Sequence, residues 1–365
     1  MIEADISFAD RVLSARGPFE AVSDAEIATL FAPLLPAQGL VLAVSGGPDS
    51  LALLLLAARW RALAKNPAMS VVTVDHALRP AAAAEAHTVT RLAQAFGFSA
   101  RIMVWRGEKP ARAIQEEARA ARYRLLAEAA REAGASHIVT AHHADDQAET
   151  VLMRLAAGSG IGGLAAMRPF RPLAAGDEGN AAPLTLARPL LAVTKARLES
   201  VVREAGCAAV DDPSNRDPRY TRARLRLLTP QRQALGLTPE RLATLARRCA
   251  RAENALDTVA ERKFAQLARP DEDGLLIAAD LWREPEEIVL RCVALGVERV
   301  CAGQDLPALR LERLESLVNA LHAALRADTG LRRTLRGAVV GIRRGGELDI
   351  RREPKRRRGV VVQGR

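Results

Sequence analysis

Between an apolar, β-prone run, Leu40-Val41-Leu42-Ala43-Val44, and a helix-like stretch, Leu51-Ala52-Leu53-Leu54-Leu55-Leu56, lies the hexapeptide Ser45-Gly46-Gly47-Pro48-Asp49-Ser50. Strand, glycine turn and helix in that order set the start of a helix at the carboxyl end of a strand. Two glycines tolerate positive φ and let the backbone approach a ligand closely. The first N–H groups of the helix have no internal partner and point outward at the positive end of its dipole. An anion fits such a place. Phosphate loops of phosphoryl-transfer enzymes end in Lys followed by Ser or Thr, whereas this loop ends Asp49-Ser50, which argues against γ-phosphoryl transfer. The same residues also read as a plain turn in which Asp49 or Ser50 caps the helix.

The rest of the first half alternates in kind. Val71–Val74 reads as a second strand, 82–96 as a helix, 101–105 as a third strand and 111–133 as a long helix. His137–Thr140 reads as a fourth strand, followed by a helix from about Asp145 to Ala157. This order predicts an α/β fold with a doubly wound, parallel, Rossmann-like sheet, whose ligands sit at the carboxyl ends of the strands. Residues 172–183, with an Ala-Gly-Asp-Glu-Gly-Asn core, read as a surface loop. Beyond residue 232 the apolar spacing turns helical, and 337–350 reads as a hairpin around Gly345-Gly346 that leads into a basic end. The expected domains are therefore residues 1–232, a helical segment 233–330 and a short basic hairpin and tail, 331–365.

Composition bounds the function. The chain has 365 residues, 49% of them hydrophobic, enough for two or three domains. No apolar stretch is long enough to span a bilayer, and the start Met1-Ile2-Glu3-Ala4-Asp5 is acidic where a secretory signal is basic, so a cytoplasmic location and no membrane partner are expected. Cys207, Cys249, Cys292 and Cys301 form no C-x-x-C pair, which predicts neither a disulfide framework nor a cysteine metal site. Residues 331–365 hold eleven Arg and one Lys against three acidic residues, which is +9 of the net +10. A cluster that compact can displace counterions from a phosphate backbone. A solvated basic end that touches nothing is the plainer alternative.

Three further motifs follow the glycine loop. Asp75-His76-Ala77-Leu78-Arg79 closes the second strand. Gln115-Glu116-Glu117-Ala118-Arg119-x-x-Arg122-Tyr123 lies in the long helix. Thr140-Ala141-His142-His143-Ala144-Asp145-Asp146-Gln147-Ala148-Glu149-Thr150 follows the fourth strand. In this order and spacing, with Gly158-Ser159-Gly160, Arg188-Pro189-Leu190-Leu191 and Asp212-Pro213-Ser214-Asn215 behind them, the chain resembles the tRNA(Ile)-lysidine synthases. These are PP-loop enzymes of the N-type ATP pyrophosphatases. The resemblance runs to about residue 228 and is looser beyond. Ala157 stands where that family usually has Arg, and Arg222-Ala223-Arg224-Leu225-Arg226 stands where it usually has Arg-Asn-x-Ile-Arg.

The resemblance implies adenylation, by ATP with Mg²⁺, of the C2 oxygen of the wobble cytidine in a tRNA(Ile) with a CAU anticodon. Free L-lysine then attacks C2, giving lysidine, AMP and diphosphate. It further implies that Ser45, Gly46, Gly47, Pro48, Asp49, Ser50, Asp75 and His76 bind ATP, with Asp49 and Arg119 as the catalytic pair. Asp49 would hold Mg²⁺ or fix the loop, and Arg119 would supply positive charge near the α-phosphate. Arg222, Arg224, Arg226, Arg351 and Arg352 would contact tRNA, and a homodimer is admitted. Asp146 and Glu149 would hold the lysine: at i,i+3 they share a helix face, and a cation that is partly buried needs paired carboxylates. Acidic residues also favour the first turn of a helix through its dipole alone, and Arg119 also reads as a solvated helix-face arginine. Two other enzyme readings and one non-enzymatic reading stay open on residues alone. A tRNA thiolase of the same superfamily would want paired cysteines. A metal-dependent phosphoesterase would use His142, His143 and the aspartates but has no use for a glycine cradle. A nucleotide sensor would make no AMP.

Overall fold

The computed structural model describes residues 20–63, 65–110, 114–173, 183–207, 209, 221–304 and 306–354. They divide into two compact units. The first runs to Ala157 and again from Gly163 to Arg247; the second comprises Gly158–Gly162 and the chain from Arg248 onward.

In the first unit, helix α1 (Asp24–Phe31) precedes β1 (Gly39–Ala43), α2 (Pro48–Leu63), β2 (Ala68–Asp75), α3 (Ala82–Ala95), β3 (Ser99–Val104), α4 (Ile114–Glu132), β4 (His137–Val139) and α5 (Ala144–Ala156). Then come β5 (Phe170–Leu173), β6 (Leu184–Ala187), α6 (Lys195–Glu204), α7 (Thr221–Leu227) and α8 (Thr229–Ala234), and α9 (Pro239–Leu267) begins. The strands form one sheet in the order β3-β2-β1-β4-β6-β5, parallel throughout except where β5 runs against β6. The four strands expected from sequence are present. Pro172 and Leu173, read as loop, belong to β5, and the remainder of that loop, 174–182, lies outside the described residues.

β1 explains why its run is continuously apolar rather than alternating. Leu40, Leu42 and Val44 face α2 on one side, Val41 and Ala43 face α4 on the other, and all are buried. The helix after the glycine loop is likewise apolar on all sides. Ser50 to Ala58 and Trp60 of α2 are buried, with Phe31 of α1 against Trp60 at a ring separation of 5.0 Å. Truncating one of Leu53 to Leu56 to Ala costs about 2–5 kcal/mol at such sites. The loop is thereby held at the top of a rigid element. The order of strands reverses direction between β1 and β4, so the loops that follow these two strands open on a shared crevice.

The second unit takes the rest of α9, then β7 (Ala268–Asp271), β8 (Gly274–Ile277), α10 (Glu286–Val300), α11 (Leu311–Arg326), β9 (Arg332–Leu335), β10 (Ala338–Ile342) and β11 (Leu348–Arg352). Helices and hairpin are where the sequence reading expects them. The hairpin, however, is the middle of a five-stranded antiparallel sheet, β7-β8-β11-β10-β9, that crosses the boundary drawn at residue 330. Leu275, Ile277, Leu348, Ile350, Ala338 and Val340 turn one face of it onto α10 and α11. Gly296 of α10 has no room for a Cβ against Ile350 and lets the helix approach the sheet. The other face carries Asp349, whose Oδ1 accepts from Arg351 Nε at 2.9 Å, while Asp271 Oδ2 accepts from Arg343 and Arg351 at 2.7 and 2.8 Å. Among the described residues no helix is long and apolar enough to cross a membrane.

Candidate active site

The loop after β1 is closed by one hydroxyl. Ser50 Oγ donates to the Gly47 carbonyl at 2.9 Å and accepts from the Ser45 N–H at 3.1 Å. Gly46 has φ +90°, a value that residues with a Cβ rarely adopt, and a Cβ on Gly47 would meet only the Ser45 hydroxyl, at 4.0 Å. Pro48 begins α2, where its missing N–H costs nothing. The result is an open concavity of backbone under a helix N-terminus.

Across the crevice stands the loop after β4 with the start of α5. His143, 1% exposed, is surrounded by carboxylates. Its Nε2 lies 3.4 Å from Asp49 Oδ2 and 3.5 Å from Asp146 Oδ2, and its Nδ1 lies 3.6 Å from Asp145 Oδ2. Burial alone would push this imidazole down. Asp145, Asp49 and Asp146 overcome that and hold it at about 10, so it is an imidazolium. Burial likewise works against ionisation of Asp49, and His143, with Lys195 and Arg226, brings its pKa below the ordinary value. Asp145 also serves the fold, since its Oδ2 accepts from the Lys195 N–H at 2.8 Å and so caps α6. Asp146 Oδ2 accepts from the His143 N–H at 3.2 Å, and Gln147 brackets Met167 with two hydrogen bonds of 2.8 and 2.9 Å. Most of the acidic motif is thus building material as well as chemistry.

His142, next in chain to His143, has the opposite character. It shares a 2.8 Å hydrogen bond with Thr140 Oγ1, and burial, reinforced by the charges of Arg188, Arg122, Arg119 and Arg222, lowers its pKa to about 2. It is neutral, in a positive field.

One cavity of about 630 Å³ gathers Ser45, Gly47, Pro48, Asp49, Ser50, Arg119, Asp146, Arg222 and Arg226. Arg122 and Lys195 join them there without having been assigned a role from sequence, as does His142, which the sequence offered only to the phosphoesterase reading. Arg122 signals itself by its place in the motif of the long helix, one helical turn from Arg119. Asp75 and His76 line a smaller neighbouring cavity of about 170 Å³, which shares Ser45 and Arg122 with the first. Ala77, between them and Arg79, has φ +51°, and its N–H is held by Asp75 Oδ1 at 2.7 Å. Glu149 is 3% exposed and reaches the cavity through Arg226, whose Nε donates to its Oε1 at 2.6 Å. Arg119 leans on Tyr123, 5.1 Å from the ring centre. Arg224 bonds to Thr221 and does not line this cavity. Arg351 and Arg352 belong to the second unit; Arg351 is tied to Asp349 and Asp271, and Arg352 reaches the Val300 carbonyl at 3.2 Å. Of the two departures, Ala157 is the C-cap of α5 and Ala223 is the buried residue of α7.

Asp49 Oδ1 is the atom with metal-binding promise. It is buried and has no hydrogen-bond partner among the described residues, a costly state for a carboxylate oxygen unless a cation completes it. No group of three or more His, Cys, Asp or Glu among the described residues is placed to hold a metal by itself. Among the described residues, then, His142, His143 and the aspartates are not arranged as the two-metal cluster a phosphoesterase would use. Cys207 and Cys292 are pushed up to about 11 by burial, so neither is a ready thiolate.

A PP-loop domain model matches residues 20–232. A tRNA(Ile)-lysidine synthase of Bradyrhizobium sp. (strain BTAi1) is 47% identical over 93% of this chain and 97% of its own length. One of Methylobacterium nodulans is 49% identical over 88% of this chain and 93% of its own. Among solved structures, the U34-tRNA thiolase NcsA of Methanococcus maripaludis superposes with a TM-score of 0.50 at 14% identity, covering 62% of this chain and 77% of that one, a likeness of fold alone. With a PP-loop domain over more than half its length and such relatives matching nearly end to end, the chain belongs to the tRNA(Ile)-lysidine synthase family.

Proposed function

We propose that the chain ligates L-lysine to C2 of the wobble cytidine of a tRNA(Ile) bearing a CAU anticodon, with ATP converted to AMP and diphosphate. The observation that carries this reading is one cavity that joins an anion cradle and arginines to Asp146 of α5, with the buried Glu149 behind Arg226. An enzyme that joins a cationic amine to a base through a phosphorylated intermediate needs both.

In this reading the N–H groups of Gly46, Gly47 and the first turn of α2 take the β- and γ-phosphates, and Asp75 and His76 border the nucleoside. The cytidine O2 attacks the α-phosphorus and diphosphate leaves. Arg119 and Arg122 face the charge that builds on the α-phosphate. An amine of lysine then attacks C2, loses its proton, and AMP departs with the oxygen. Asp146 and Glu149 hold the incoming amine, and neutral His142 adds no charge that would repel it. Mg²⁺ would sit on Asp49 Oδ1, where it would screen the phosphates against the attacking oxygen. The experiment is ligation with ATP, Mg²⁺, labelled lysine and a panel of tRNA transcripts. AMP and lysine incorporation should appear together, and only with the CAU isoleucine transcript.

A further inference from the structure

The proposed lysine site already contains a cation. Arg226 Nε lies 2.6 Å from Glu149 Oε1, its Nη2 lies 3.3 Å from Glu149 Oε2, and the same Nη2 is 3.7 Å from Asp146 Oδ1. Both carboxylates are thereby touched by one guanidinium. Glu149 is nearly inaccessible, whereas the Arg226 side chain is 37% exposed and lines the cavity. A side chain that is open on its cavity side and closed on its carboxylate side can leave; the carboxylates cannot.

Arg226 comes from α7, a seven-residue helix in which Ala223 is the buried residue and Leu227 is 66% exposed. An element with so little apolar burial yields at modest cost. Two cations cannot share the same oxygens at hydrogen-bond distance. A displaced guanidinium also needs another anion, and the same cavity holds Asp49 and the cradle in which nucleotide phosphates are placed above.

We propose that Arg226 is an internal competitor of the substrate: it holds Glu149 and Asp146 as a lysine amine would, and lysine enters by displacing it. This rests on the assignment of that carboxylate pair to lysine. Lysine affinity is then set by the difference between two cations rather than by the carboxylates alone, and an amine too weakly held to evict the guanidinium is kept out.

Calorimetric titration of the full-length chain with L-lysine, without ATP or tRNA, tests this. Arg226→Met removes the competitor and should bind lysine at least tenfold more tightly than the wild type, with a lower lysine KM in ligation. Arg226→Lys keeps the charge near Glu149 as a single, shorter contact, so it preserves the fold if the methionine variant does not; it should fall between the two. Equal or weaker lysine binding in whichever of these variants folds overturns the proposal, because Arg226 would then support the site rather than block it. Adding Glu149→Gln to Arg226→Met separates this from the underlying assignment: with the competitor gone, a lysine affinity equal to that of Arg226→Met alone means that the carboxylate pair is not the lysine site, whatever Arg226 does.

Discussion

Replacing His143 by Gln removes the one positive ring among Asp49, Asp145 and Asp146. The imidazole ordinarily titrates at 6.5 and here is held at about 10. At about 1.4 kcal/mol per pH unit, that difference is worth roughly 5 kcal/mol of folding stability when the ring is charged in both states. Because the folded-state value is the raised one, the contribution is complete below pH 6.5, declines as pH rises, and is gone above about 10. Between pH 7 and 9 the wild type should therefore lose about 3 kcal/mol relative to His143→Gln, from one extra proton bound by the folded protein. Urea unfolding of both proteins at half-unit pH steps gives this directly, provided the m-values agree. Parallel stability curves over that range would refute the argument, since they would mean the ring is neutral and the three carboxylates are held apart by something else.

Further outcomes follow from the same geometry. Asp49→Ala should abolish AMP formation in a protein that still folds but melts at a lower temperature, because Asp49 Oδ2 is one of the three carboxylate oxygens around His143; normal turnover would reduce Asp49 to a helix cap. Asp146→Asn should raise the lysine KM while tRNA adenylation persists, and loss of adenylation with unchanged lysine dependence would instead place this carboxylate on the metal. A chain ending at Pro354 should bind tRNA more weakly and with a flatter salt dependence while still folding; an unchanged slope leaves the basic end without a role. A chain ending at Gly330, by contrast, removes three of five strands from the second unit and should lose its cooperative unfolding transition, followed by calorimetry.

What could be read from sequence was what local pattern determines. β1 is legible because a parallel strand buried on both faces is a continuous apolar run and because the glycine loop marks where it ends, and β2 to β4 because short β-prone runs alternate with helical spacing. β7 is not legible: Ala268-Arg269-Pro270-Asp271 has no apolar alternation, and it becomes a strand through β8, itself paired to β11 over seventy residues downstream. β5, with Pro172 inside it, is hidden for the same reason and survives only as an edge strand. In the site, the acidic motif was visible but the division of labour within it was not. That Asp145 caps α6, that Gln147 brackets Met167, and that His143 has Asp49 beside it while His142 faces Arg188, Arg122, Arg119 and Arg222 all depend on partners distant in the chain. The ion pair of Arg226 with Glu149 joins residues 77 positions apart, and no spacing rule reaches that far.

If one cavity both activates a cytidine with ATP and delivers lysine to it, the two half-reactions share an adenylated tRNA. Single-turnover reactions with α-labelled ATP, labelled lysine and CAU isoleucine tRNA test it most directly. Without lysine an adenylated tRNA should accumulate, and adding lysine should convert it to lysine-bearing tRNA with one AMP released per lysine joined. AMP formed with no label on the tRNA, or lysine joined with no adenylated intermediate, would contradict it.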